Sequence, residues 1–132
     1  MIGVDTNVLV RLLVADDGRQ AQAVGEFFAQ RTGADPAFVS AVVLIESLWV
    51  LGRRFGYSRS TLLDALRRMM TSPELNFEHG GRLAEILENA DPSLSDIADH
   101  LIAWSCEKAG CERTVTFDKR AAKRNPSMEL LT

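Results

Sequence analysis

Short apolar runs of strand character alternate along this chain with longer runs of helical period, and that alternation most limits the folds open to it. Met1 to Asp5 reads as a short buried strand, and Thr6 and Asn7 are N-cap residue types for the apolar run Val8 to Val14. Asp16-Asp17-Gly18 breaks that run. From Gln20 to Arg31, Ala21, Val24, Phe27 and Phe28 recur at helical spacing. Pro36 opens a strand at Ala37-Phe38-Val39, Ser40 caps a helix reaching Phe55, and Gly56 stops it. A third helix is expected from Ser58 to Met70, ended by Ser72-Pro73. Leu75-Asn76-Phe77 reads as strand, His79 to Asn89 as helix, and Asp91-Pro92 as a break. Ser93 or Ser95 caps a helix to Ala109 that Gly110 terminates, Arg113 to Phe117 alternates into a strand ending at Asp118, and Met128 to Leu131 reads as a last edge strand. With no internal repeat and no low-complexity linker, the pattern predicts an α/β fold. Its expected form is a central, mostly parallel sheet of four to five strands with helices on both faces, in one domain over residues 1–132.

A chain of 132 residues that is 46% hydrophobic can bury one core of ordinary size. No apolar run reaches the roughly 18 residues that span a bilayer, and Met1 leads straight into Ile2-Gly3-Val4 without a basic leader. A cytoplasmic protein without membrane contact is therefore expected. The two cysteines, Cys106 and Cys111, fall near a helix end and outside any Cys/His metal spacing, so buried or half-buried thiols are expected. A net charge of -3, from 15 basic and 18 acidic residues, exerts no general pull on nucleic acid. Acids gathered around divalent cations would leave the remaining surface near balance, so charge alone does not exclude a nucleic-acid enzyme.

Four acids stand where a solvated acid is not expected. Asp5 and Asp118 close apolar strands, and the carboxyl ends of strands in an open parallel sheet, near the point where strand order reverses, are where ligands bind. Each could equally cap the element that follows. Glu46 has Val42, Val43, Trp49 and Val50 one turn away and so interrupts an apolar stripe. Burying a lone carboxylate is costly unless it is paired, with a metal ion or with a base such as Arg53 or Arg54. Asp99 repeats the pattern, with Ile102, Ala103 and Cys106 on its side of the helix. Asp96 can share that face as an outer ligand, and its first-turn position equally suits the helix dipole. His100 is expected at the helix surface or behind the ligands, because the four acids already supply the hard oxygens that Mg²⁺ or Mn²⁺ prefers. Together, Asp5, Glu46, Asp99 and Asp118 predict an oxygen-rich site for one or two divalent ions. Such a site can turn water into a nucleophile and neutralise charge on a phosphodiester.

In order, Val4-Asp5-Thr6-Asn7-Val8-Leu9-Val10, then Glu46 in Val43-Leu44-Ile45-Glu46, then Asp96-Ile97-Ala98-Asp99-His100-Leu101-Ile102-Ala103, then Thr116-Phe117-Asp118 make a recognisable series. Over essentially the full chain it resembles the PIN-domain family, in particular the VapC-type toxins of bacterial toxin–antitoxin pairs. The resemblance implies an endoribonuclease using Mg²⁺ or Mn²⁺, with metal and catalytic roles for Asp5, Glu46, Asp99 and Asp118. By the same analogy Asn7 orients Asp5 or a metal-bound water, and Thr116 hydrogen-bonds near Asp118. Family members often carry a small residue where His100 stands, so the histidine is expected to crowd or tune the site. A homodimer is also implied, with an antitoxin whose flexible segment lies across the groove. Leu12, Leu13, Phe27 and Phe28 are candidate contacts, although such a stripe is more often plain core.

Counter-charges for an RNA backbone are offered by Arg53-Arg54, Arg67-Arg68, Lys119-Arg120 and Lys123-Arg124; Lys119 and Arg120 are the expected substrate-facing pair. Single-stranded or loop RNA is the expected substrate, because a crevice at the end of a sheet admits one strand more easily than a duplex. Two alternatives remain. Asp5-Thr6-Asn7 also resembles the strand-end motif of haloacid-dehalogenase-like phosphatases, but position 7 is Asn where that family has an acid/base Asp. A PIN-like module that binds RNA or protein without cutting is the other, and a pure binder gains nothing from four mutually repelling acids.

Overall fold

The computed structural model describes residues 1–14 and 18–132, so Asp16 and Asp17 of the first expected break lie outside the described residues. The chain packs as two units that divide between Asp91 and Pro92, at an expected break.

In the first unit β1 (Ile2–Gly3), β2 (Ala37–Val39) and β3 (Leu75–Phe77) form a parallel sheet in the order β1-β2-β3. Ile2 lies opposite Ala37, and Ala37 opposite Leu75. Hydrogen bonding continues just past the strands, where Val4 N–H donates to the Phe38 carbonyl at 3.0 Å and Glu78 N–H to the Val39 carbonyl at 2.9 Å. Parallel neighbours need crossover connections, and helices supply them. Between β1 and β2 run α1 (Thr6–Leu13) and α2 (Arg19–Ala29), and between β2 and β3 run α3 (Ala41–Arg53) and α4 (Arg59–Met70). Helix α5 (Gly80–Asn89) closes the unit. Ser40 Oγ accepts the Val43 N–H and Ser58 Oγ the Thr61 N–H, each at 3.2 Å, which fixes the starts of α3 and α4. Leu9, Leu44, Leu48, Leu51, Leu62, Leu66 and Leu83 are buried, with α1 packed on α3 and α4 on α5.

In the second unit α6 (Leu94–Lys108) leads to β4 (Thr114–Thr116), α7 (Lys119–Arg124) and β5 (Met128–Leu130). Strands β4 and β5 pair in parallel as a separate two-stranded sheet, Thr114 opposite Met128. Ala103, Ala121 and Met128 form a buried cluster there.

Three expectations need correction. The central sheet has three strands and not four to five, because β4 finds its partner in β5. Sequence periodicity marks a strand without naming its neighbour, and the unexpected short helix α7 returns the chain beside β4. Second, β1 is two exposed residues instead of a buried strand, with a neighbour on one side only. Third, spatial order follows chain order, so the three-stranded sheet has no reversal point beside Asp5. No helix among the described residues is long and apolar enough to cross a membrane.

Candidate active site

Asp5 follows β1 and is itself the N-cap of α1, the role the sequence offers to Asp5 as well as to Thr6 or Asn7. Its backbone is extended, and its Oδ1 accepts the Val8 N–H at 3.1 Å. Its side chain is exposed, as is that of Asn7. Glu78 stands in the same relation to β3, where Oε1 accepts the Ala41 N–H at 2.8 Å and so caps α3 from a distant strand end. Sequence reasoning passed over Glu78; the signal was the same apolar-strand-then-acid order that drew attention to Asp5.

Glu46, in the second turn of α3, is exposed, which overturns its expected burial. Of the apolar residues around it, Val42 is 72% exposed and Trp49 38%, while Val43 and Val50 are half-buried. The Arg53 guanidinium lies 4.2 Å from the centre of the Trp49 ring. Periodic spacing identifies an apolar stripe but not whether anything covers it.

In the second unit Asp99 lies in the second turn of α6, half-buried, and neither a hydrogen bond nor an ion pair reaches its carboxylate from the described residues. Burial first, and then the charge of Asp118, raise its pKa, against a smaller opposing effect of His100. Of the four acids expected to act together, Asp99 and Asp118 are thus electrostatic neighbours. Asp118 caps α7, its Oδ1 accepting the Arg120 N–H at 2.8 Å and the Ala121 N–H at 3.2 Å. Thr116 Oγ1 accepts the Asp118 N–H at 3.0 Å, which ties the end of β4 to the start of α7. Asp96 has a structural task. With Ser93 it forms a reciprocal capping box, at 3.0 and 3.1 Å, and it is ion-paired with Arg124. His100 stacks on Trp104 with ring centroids 5.3 Å apart.

Local contacts also sort the basic residues. Arg67 is committed to the Leu87 and Ala90 carbonyls and to Asp91, the last at 2.5 Å. Arg124 is taken by Asp96. Lys119 and Arg120, in the first turn of α7, are exposed, directly after the 79% exposed Phe117. Arg54 lines a recess of about 260 Å³ together with Asn7, Arg11 and Phe55, and Arg11 falls one helical turn after Asn7, a spacing already visible in the sequence. A second recess, of about 290 Å³, opens beside Asp5 against Val8, Val24 and Phe27. The Phe27 and Phe28 rings meet edge to face at 5.1 Å, both half-buried, while Leu12 is 36% exposed.

Within either unit, among the described residues, no three Asp, Glu, His or Cys side chains gather as a metal cage. The donors themselves suit a hard divalent cation: they are carboxylates, and at Asp99 a half-buried carboxylate without a partner lies near a second negative charge. A cation relieves both the burial and the repulsion.

Parallel α/β architecture with acids just past strand ends, and with Asp118 adding to the burial cost of ionised Asp99, suits a nuclease-like module. Residues 2–125 match the PIN domain family, and the chain belongs to it. PIN domains are generally nucleases, hydrolases that typically use divalent metals. No curated protein sequence matches the chain.

Proposed function

We propose that this chain is a Mg²⁺- or Mn²⁺-dependent endoribonuclease, the toxin of a toxin–antitoxin pair, acting in the cytoplasm on single-stranded or loop RNA. In this proposal residues 1–132 work as one nuclease domain and as a homodimer held in check by a cognate antitoxin. The observation that carries the reading is the Asp99–Asp118 pair in a PIN chain, where burial and like charge both work against ionised Asp99.

Asp5, Glu46, Asp99 and Asp118 would hold the metal. When bound, it would lower the pKa of water and offset charge developing on the phosphodiester. The residues of the chain do the positioning. Hydrogen bonds from the starts of α1 and α7 fix one oxygen of Asp5 and of Asp118, leaving the other oxygen of each to point elsewhere. Thr116 holds the backbone at Asp118. Asn7, two residues after Asp5, is exposed and near enough in sequence to orient it or bind substrate. Exposed Phe117 offers a face on which an unpaired base can stack, with Lys119 and Arg120 next to it for the backbone. An aromatic platform beside a basic pair favours one strand over a duplex.

Purified protein incubated with a mixed RNA pool, with and without Mn²⁺, tests the proposal. Cleavage should require metal and fall by at least about a hundredfold in Asp5→Asn and Asp99→Asn, each of which keeps side-chain shape while removing a charge. Near-wild-type cleavage by either variant refutes the assignment. Growth arrest on induction, relieved by one co-expressed partner, tests the toxin role.

One observation favours the non-catalytic alternative: Asp5 and Asp118 both have ordinary work as helix caps. If capping is their whole function, the wild-type protein binds RNA and leaves it intact with every divalent metal tried.

A further inference from the structure

Both cysteines of the chain sit at one helix end. Helix α6 stops in a Schellman turn, in which Cys111 N–H donates to the Cys106 carbonyl at 3.0 Å and Gly110 N–H to the Glu107 carbonyl at 2.9 Å. Gly110 supplies the left-handed conformation the turn requires, at φ +92°. In this motif a side-chain contact across the turn frequently accompanies the longer bridge, and here both residues joined by that bridge are cysteines. Covalent geometry on either side of that hydrogen bond keeps the two Cα atoms within about 7 Å, close to the span of a disulfide. Both thiols are free, Cys111 exposed and Cys106 half-buried. Neither belongs to the acidic site, since Cys106 lies two turns, about 10 Å, along α6 from Asp99.

We propose that Cys106 and Cys111 form a thiol–disulfide exchange site whose co-reactant is a low-molecular-weight disulfide. Exposure sets the order. The Cys111 thiolate attacks one sulfur of the small disulfide, forming a mixed disulfide and expelling the other half as a thiolate. The Cys106 thiolate then attacks the Cys111 sulfur, closes the intramolecular S–S bond and expels the second half. Two electrons pass from the protein to the small disulfide. The two protons lost by the protein thiols are taken up by the two released thiolates, which leave as thiols. The closed ring holds the end of α6 to the segment that enters β4.

Incubation of the full chain with oxidised glutathione, followed by an acid quench and intact-mass measurement, tests this without reference to RNA cleavage. Wild-type protein should lose two hydrogens and carry no glutathione. Cys106→Ser should retain one glutathione, on Cys111, because nothing resolves the mixed disulfide. Gly110→Ala, strained at a left-handed position, should shift the exchange equilibrium several-fold toward the dithiol, while Gly110→Asn, which tolerates that conformation, should shift it less. Wild-type protein that stays reduced, accumulates a glutathione adduct or crosslinks to a second copy overturns the proposal. So does a Cys106→Ser variant that retains no adduct.

Discussion

Burial and the neighbouring Asp118 make Asp99 bind its proton more tightly in the folded chain than in the unfolded one. A carboxyl whose pKa rises on folding contributes stability that is complete below the ordinary value of 3.8 and is lost as pH rises through the raised folded value. At neutral pH, therefore, ionised Asp99 destabilises the metal-free fold. Asp99→Asn should raise the melting temperature in chelator at pH 7, and the difference should vanish near pH 3; a lower melting temperature at pH 7 would reveal a favourable partner for the charge. Ser47 presents the neutral counterpart of the same cost. Its hydroxyl is buried without a hydrogen-bond partner among the described residues, so Ser47→Ala should stabilise the protein by about 1 kcal/mol in urea unfolding. Ser93 behaves oppositely, because its oxygen holds the first turn of α6. Ser93→Ala should cost about 1 kcal/mol in the same measurement.

At the scale of elements, legibility followed the strength of local signals. Strands β2 and β3 were readable residue for residue, since β2 is a short apolar run after a proline and β3 alternates apolar, polar, apolar after the Ser72-Pro73 break. The starts of α3 and α4 were readable for a different reason, a serine immediately before a helical period. Helix α7 was not legible: Lys119-Arg120-Ala121-Ala122-Lys123-Arg124 buries one residue, Ala121, and so carries no apolar stripe to detect. Glu46 failed in the other direction, as a strong stripe that the fold leaves exposed at Val42 and Trp49. Of the candidate acids, the helix-capping at Asp5 and Asp118 was foreseeable from residue type, whereas the electrostatic pairing of Asp99 with Asp118 depends on packing that no local pattern encodes. The stop of α3 supplies a prediction of its own. Gly56 has φ +70° and open space where a Cβ would stand, so any penalty for alanine is purely conformational. Gly56→Ala should lose about 1–2 kcal/mol by urea unfolding, and Gly56→Asn less.

For the whole molecule, the charge of Asp118 adds to the burial cost of ionised Asp99, and a cation that recognises only the folded chain would offset both. Mn²⁺ at a hundred times its dissociation constant should add about 2.7 kcal/mol of stability, read as a rise in melting temperature that excess chelator reverses. Asp118→Asn should remove most of that rise, and a rise of the same size in this variant would place the ion elsewhere. The sheet register has a consequence in time. Ile2 pairs with Ala37, some 35 residues later, and Ala37 waits a similar length for Leu75, whereas Thr114 meets Met128 after only fourteen. At a synthesis rate of about 5–20 residues per second, β1 leaves the ribosome roughly 2–7 s before the strand it must join. Helix α3 follows directly after β2, so for that interval the apolar side of α1, including Leu9 and Val10, lacks the helix that packs on it, and its exposure is set by the speed of translation instead of by the stability of the finished fold.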